Sequence, residues 1–434
     1  MAYSTKVGAF NTGTGAAATT VDVTIGFQPK MFIVWWSGRT ESVDTTGRLD
    51  YNRGIGAGSS DAERRCAAEF YDDANTGSTG GGRYDDTALI QVCNASGVVQ
   101  GSIDIDAVVN WPADGIRLIV DDNMPLDLRV HYLALGGTDL TNAVGGQFAQ
   151  PAVTGNFDVT SVGFQPDCVL FFGLSSELAL DAPQADATPA GIFIGAAVSS
   201  SARWAFTSAS DDGSANMDAQ SYGIATECIA MQPDTVGTSV VERDDFVSFL
   251  SNGFRLNAIE SATARRAFYV ALKGGQYAVG NLLTQTDTTT DITVSGLAFQ
   301  PIALFFASNC KAASTANTAA AHDQMSIGAA TSITERGAQG IFYEDGTADS
   351  VIETSVEHDE VYTHIDGAGI VGLMDLKSIE SNGFTCIMDD ADPAQALVGY
   401  IAIGATIVGG TDQEPALIGG KLVHASLLMQ HLVH

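Results

Sequence analysis

The sequence predicts an all-β protein of three tandem antiparallel β-sandwich repeats, jelly-roll-like in their layering, followed by a short C-terminal tail. Three observations carry that expectation. A phrase returns at a constant period, strand-length segments rich in β-branched and aromatic residues are punctuated by Gly, Asn and Asp turns, and no sustained helical periodicity runs through the copies. A length of 434 residues is about three domains' worth.

The phrase reads Ile25-Gly-Phe-Gln-Pro-Lys-Met-Phe-Ile-Val-Trp-Trp36, then Val162-Gly-Phe-Gln-Pro-Asp-Cys-Val-Leu-Phe-Phe172, then Leu297-Ala-Phe-Gln-Pro-Ile-Ala-Leu-Phe-Phe306. Its Phe-Gln-Pro core starts at Phe27, Phe164 and Phe299, 137 and 135 residues apart. Before it stand β-branched segments such as Val21-Asp-Val-Thr-Ile25, which alternate as half-buried strands do. After it comes a continuous apolar run, the pattern of a strand buried on both faces. Proline belongs at the entry to that strand, because it presets an extended backbone but donates nothing to a ladder. Mid-copy, Ile55-Gly56-Ala57 recurs as Ile194-Gly195-Ala196 and Ile327-Gly328-Ala329. Toward each end, Gly115, Gly253 and Gly383 open a strand, and Tyr132, Tyr269 and Tyr400 begin a closing one. These landmarks set repeats at 1–140, 141–276 and 277–408. In the tail, 409–434, Val423, Leu427, Leu428 and Leu432 share one side of a short helix that would dock on the third repeat or on another subunit.

Composition narrows the function. The chain is 45% hydrophobic and only 16% charged, the profile of a folded protein with a surface of Ser, Thr, Asn, Gln and Gly. Against 51 acidic residues stand 20 basic ones, a formal charge of -31, so the surface repels phosphate backbones and anionic lipid and no nucleic-acid partner is expected. The start, MAYSTKVGAF, lacks an apolar stretch behind a basic one, so no signal peptide is expected, and no run approaches the length of a membrane span. Six cysteines (Cys66, Cys93, Cys168, Cys228, Cys310, Cys386) have neither CxxC spacing nor matching places in the copies, and read as buried small hydrophobes rather than disulfides or zinc ligands.

No catalytic signature emerges. GxSxG, HExxH, the P-loop and a GxGxxG between strand and helix are all absent, so no catalytic residue, cofactor or metal is expected. His131 is alone in the first copy, and His358 and His364 lie in an acidic turn region; packed or solvated roles suit them better than metal ligation. Carboxylates are numerous, so a glycosidase pair is open by count, yet nothing singles out two of them. Acidic turns recur at Tyr71-Asp-Asp-Ala-Asn-Thr-Gly77, Ser210-Asp-Asp-Gly-Ser-Ala-Asn216 and Tyr343-Glu-Asp-Gly-Thr-Ala-Asp349 and read as hairpin connections rather than calcium loops.

The first copy stands out by carrying ten of the twenty basic residues. Its stretch from Trp35 and Trp36 through Arg39, Arg48 and Arg53 joins arginines to aromatics, the composition of interface hot spots. These five are the candidate interface or ligand-binding residues: arginines for the acidic face of a neighbouring copy, and one tryptophan, or Tyr51, as a sugar platform. Only one tryptophan can serve a given surface, since adjacent strand residues face opposite sides.

The phrase from Gly26 to Trp36, followed by Ser37-Gly-Arg-Thr-Glu41, resembles a segment of virion surface proteins of tailed bacteriophages and prophages. Copies two and three lack the Trp pair and the Arg-Thr-Glu. The resemblance implies a non-enzymatic structural component of a virion, made in the host cytoplasm, decorating the capsid or forming part of the tail or fibre. It implies other virion proteins or copies of itself as partners; a carbohydrate- or receptor-binding adhesin, with a host surface glycan as ligand, and a polysaccharide-active glycoside hydrolase are the alternative readings. Three tandem copies suit either a quasi-threefold position or an elongated rod.

Overall fold

The computed structural model describes residues 3–47, 51–73, 80–109, 111–175, 179–183, 190–211, 215–231, 239–261, 263–315 and 317–406. The tail at 409–434, Arg48 and the side chain of Tyr51 lie outside the described residues. Among the described residues the protein is all-β, and its strands form six antiparallel sheets in three pairs, each of one larger and one smaller sheet.

In the first pair the larger sheet runs in the order Tyr3–Asn11, Arg129–Gly137, Pro29–Ser37, Tyr51–Ser60, Glu63–Tyr71, Gly80–Asp85. The smaller runs Thr20–Thr24, Gly115–Asp122, Val99–Ile105, Ile90–Cys93. The same order returns in the second and third pairs. The chain crosses between the two sheets of the first unit four times, after Tyr3–Asn11, Thr20–Thr24, Gly80–Asp85 and Gly115–Asp122, and the strands between those crossings lie beside one another as meanders. Short Gly, Asn and Asp turns favour that outcome, because they return the chain beside the strand just laid down.

Each pair encloses its own sandwich core. In the first unit Phe32, Val34 and Trp36 from the larger sheet meet Val23, Ile103, Ile116 and Leu118 from the smaller. The alternate residues Met31, Ile33 and Trp35 point the other way, into a fourth and larger core. There they join Leu170 and Phe172 of the second unit and Ala303 and Phe305 of the third. This explains the unbroken apolar run after each Phe-Gln-Pro: the strand divides its side chains between a private core and one shared by all three units.

Two recurrent glycines also have a structural reason. A Cβ on Gly56, Gly195 or Gly328 would lie 2.0, 2.0 or 2.2 Å from the carbonyl oxygen of Leu89, Cys228 or Val361, where the chain enters the smaller sheet's edge strand. A Cβ on Gly115, Gly253 or Gly383 would lie 2.1, 1.8 or 1.9 Å from the carbonyl oxygen of Val23, Val159 or Val294. Both glycines are required by close backbone approach rather than by turn conformation.

The units are tied in a cycle. After the phrase strand, each chain segment leaves its own unit and pairs with the outer edge of another unit's larger sheet. Thr45–Gly47 pairs with Ile352–Glu357 of the third unit, Ala320–Ala321 pairs with Ala219–Ile224 of the second, and Pro183 bridges Arg83 at the edge of the first. We call these segments straps. Each covers backbone groups that would otherwise offer a free strand edge. First strands follow a cyclic order too: Thr5 Oγ1 donates to the carbonyl of Ile302 at 2.9 Å, Lys6 pairs with Glu335, and Gly145 N–H donates to Ser59 Oγ at 3.4 Å. Trp204 Nε1 donates to the carbonyl of Tyr400 at 3.0 Å, closing the seam between the second and third units. The recurrent acidic turns join in as well. Asp73 Oδ1 accepts the Ile352 N–H at 3.1 Å, and Gly346 N–H donates to the carbonyl of Met217 at 2.8 Å.

Candidate functional site

Of the residues picked out in the first copy, Trp35 and Arg53 lie at the junction of the three units. Trp35 is buried in the shared core, stacked on His131 at 5.9 Å between centroids and edge-on to Phe305 of the third unit at 5.9 Å. Trp36 faces the other way, into the first sandwich, over Gly54, where a Cβ would fall 2.1 Å from its ring. Neither indole has a face open to solvent, so neither is a sugar platform. Their division between two cores follows from strand alternation.

Arg53 is 3% exposed, although it is an arginine on a strand. Its Nη1 and Nη2 donate to Asp323 Oδ1 and Oδ2 of the third unit, both at 3.0 Å, and Nη1 also donates to Ser208 Oγ of the second unit at 2.9 Å. Glu69, directly across the hairpin, forms a further ion pair with it. Ser210 Oγ donates to Asp323 at 3.1 Å, and Tyr71 hydroxyl donates to the carbonyl of Ser210. One guanidinium thus gathers side chains from all three units. Its planar fork suits two parallel hydrogen bonds to a carboxylate, which a lysine cannot make.

Arg39, 4% exposed, serves the strap: its guanidinium bonds Glu41 at 2.8 Å and Thr45 Oγ1 at 3.3 Å, fixing the turn that delivers Thr45–Gly47 to the third unit. Arg48 lies outside the described residues.

Beside Trp35 the first and third units meet through two imidazoles. Gln339 Nε2 donates to the carbonyl of Arg129 at 3.0 Å and stands 2.9 Å from His131 Nδ1. That leaves His131 Nε2 as the donor to His358 Nδ1, 3.1 Å away. Asp44 Oδ1, on the strap, accepts the His358 backbone N–H at 2.6 Å. Burial pushes His131 well below the usual histidine range, with His358 and Arg129 adding to the effect. His358 is lowered by burial and Arg129, against the opposing pull of Asp44 and Asp359. Nearby, burial together with Asp44 and Asp359 pushes Glu357 up to about 8.

Reading residue types alone finds Arg53 and Trp35 but not what they touch. Asp323 and Ser208 stand 270 and 155 residues from Arg53 along the chain, and nothing local marks either. The described cysteines are all buried thiols, and burial raises each of them.

No family model matches this chain, and no curated protein matches it. Among solved structures, a complex of β-fructofuranosidase from Schwanniomyces occidentalis with fructosyl-erythritol aligns over 92% of this chain and 98% of its own, with 8% identity and a TM-score of 0.14. A score that low carries no argument about fold or activity.

Proposed function

We propose that this chain is a non-enzymatic structural component of a tailed-phage virion, seated as a decoration at a threefold or quasi-threefold position of the capsid. The observation that carries the reading is the cyclic tying of three like units around one shared core. Such a body offers three related outer surfaces from a single polypeptide, which is what a threefold seat requires. An elongated rod would instead leave its end units with unpartnered apolar faces. The interface candidates support the same reading, since Trp35, Arg39 and Arg53 are engaged in holding the units together. Its partners are then the surrounding virion proteins, met through a polar, acidic exterior. The test is to label purified particles with an antibody to this chain and image them. Label distributed over heads is expected; label confined to tail tips, or particles free of the protein, would overturn the proposal.

A further inference from the structure

Two clefts of about 440 and 430 Å³ occupy the same place in the third and first units, at the root of the strap between the two sheets. The Phe-Gln-Pro register aligns Lys311 with Arg39 and Cys310 with Gly38. Hairpin pairing aligns Gln324 and Phe342 with Asn52 and Phe70. The carbonyls under Gly328 and Gly56 align His364 with Val92, and the prolines Pro393 and Pro125 align Asp392 with Met124.

The first unit builds this place with the buried apolar residues Val92 and Met124. The third builds it with a buried polar chain. Asp392 accepts Tyr362 hydroxyl at 2.9 Å and His364 Nδ1 at 2.7 Å; Gln324 Nε2 lies 3.3 Å from His364 Nε2 and donates to the carbonyl of Ile365 at 2.7 Å. At the end of this polar chain Gln324, 1% exposed and on the cleft wall, has an Oε1 with no partner among the described residues. Turning the amide over does not help, because the Ile365 carbonyl needs a donor. A buried acceptor left unpaired costs about 1–3 kcal/mol, and the first unit shows that the fold does not need one here. Strain points to the same place: Cys310 and His322 both line the cleft at positive φ, 56° and 73°, where the aligned Gly38 adopts 87° as glycine readily can.

We propose that the cleft of the third unit binds a sugar residue, with a ligand hydroxyl donating to Gln324 Oε1 and Lys311, Glu344 and Asp366 forming the remaining polar wall. The mixed lining selects this class. Glu344 and Asp366 disfavour an anion and Lys311 disfavours a metal cation, whereas a polyol offers donors and acceptors together without net charge. The volume suits one or two pyranose rings. This site does not depend on the virion reading.

The experiment uses the full chain, a panel of free hexoses and N-acetylhexosamines observed by saturation-transfer NMR, and titration of any that bind. Two variants accompany it, Gln324→Leu and the triple Tyr362→Phe/His364→Val/Asp392→Met, which takes Val92 and Met124 from the first unit and removes the Tyr362 hydroxyl. Binding by the parent and weakening of about tenfold in both variants, the size of one lost buried hydrogen bond, are expected. No binding by any member of the panel, or equal binding by parent and a folded triple variant, would overturn the proposal. If the triple variant fails to fold, Lys311→Ala on the open wall decides: weaker binding supports the site and unchanged affinity removes it.

Discussion

Arg53 occupies a position where the other two units carry Ile192 and Met325, aligned by the Ile-Gly-Ala motif. The exchange of an apolar residue for a cation is matched by Glu69 and Asp323, whose side chains are fully buried beside it. Removing one member of such a group leaves the others charged in a dry interior, which is far more destabilising than never having had them. Arg53→Met is therefore expected to lose about 3–5 kcal/mol, read as a lower urea midpoint. A change under about 1 kcal/mol, typical of an exposed ion pair, would remove Arg53 from its keystone role. The histidine seam adds a pH dependence with a definite sign. His131 and His358 have folded values below the unfolded reference of about 6.5, so their contribution is complete above that pH and is lost as pH falls below it. Arg129, Asp44 and Asp359 face the same pair, and the arginine reinforces the effect. Carboxylates act in the opposite sense: Asp244, Glu357 and Glu360 are raised to about 8, 8 and 9, so their stability is present below the ordinary carboxylate range and lost as pH rises toward those values. His131→Phe, copying Phe268 at the same place in the second unit, should shift the change in thermal midpoint from pH 7 to 5.5 toward greater stability at pH 5.5 than in the parent. An unshifted change would place the acid-sensitive group elsewhere.

At the scale of strands, much was legible because local pattern and tertiary role agree. The continuous apolar run predicts burial on both faces, and Met31 through Trp36 are buried, alternating between two cores. The proline of the phrase opens a strand at Pro29 and stands just ahead of one at Pro166 and Pro301, as a residue without a donor must. The glycine of Ile-Gly-Ala was visible as a landmark, but its cause, a carbonyl from the smaller sheet at contact distance, is a tertiary fact that no local window holds. The straps were not legible at all. A pairing of two or three residues, as at Ala320–Ala321 or Thr45–Gly47, has no periodicity to read, and its partner lies in another unit. The same limit applies to the candidate site. Arginine and tryptophan drew attention by type, whereas the partners that give Arg53 its role and the cleft that distinguishes the third unit come from residues brought together by the cycle.

The whole molecule depends on that cycle. The shared core draws Met31, Ile33 and Trp35, Leu170 and Phe172, and Phe305 from three units, so withdrawing any one unit exposes an apolar face of the other two. The straps strengthen this dependence, because one edge of each larger sheet is met by a segment from a neighbouring unit. Three sandwiches joined only by linkers would melt independently; three sandwiches sharing a core should melt together. Differential scanning calorimetry of the intact chain tests this most directly. A single transition with equal calorimetric and van't Hoff enthalpies is predicted, and two or three separable transitions, each with the enthalpy of one sandwich, would contradict the account.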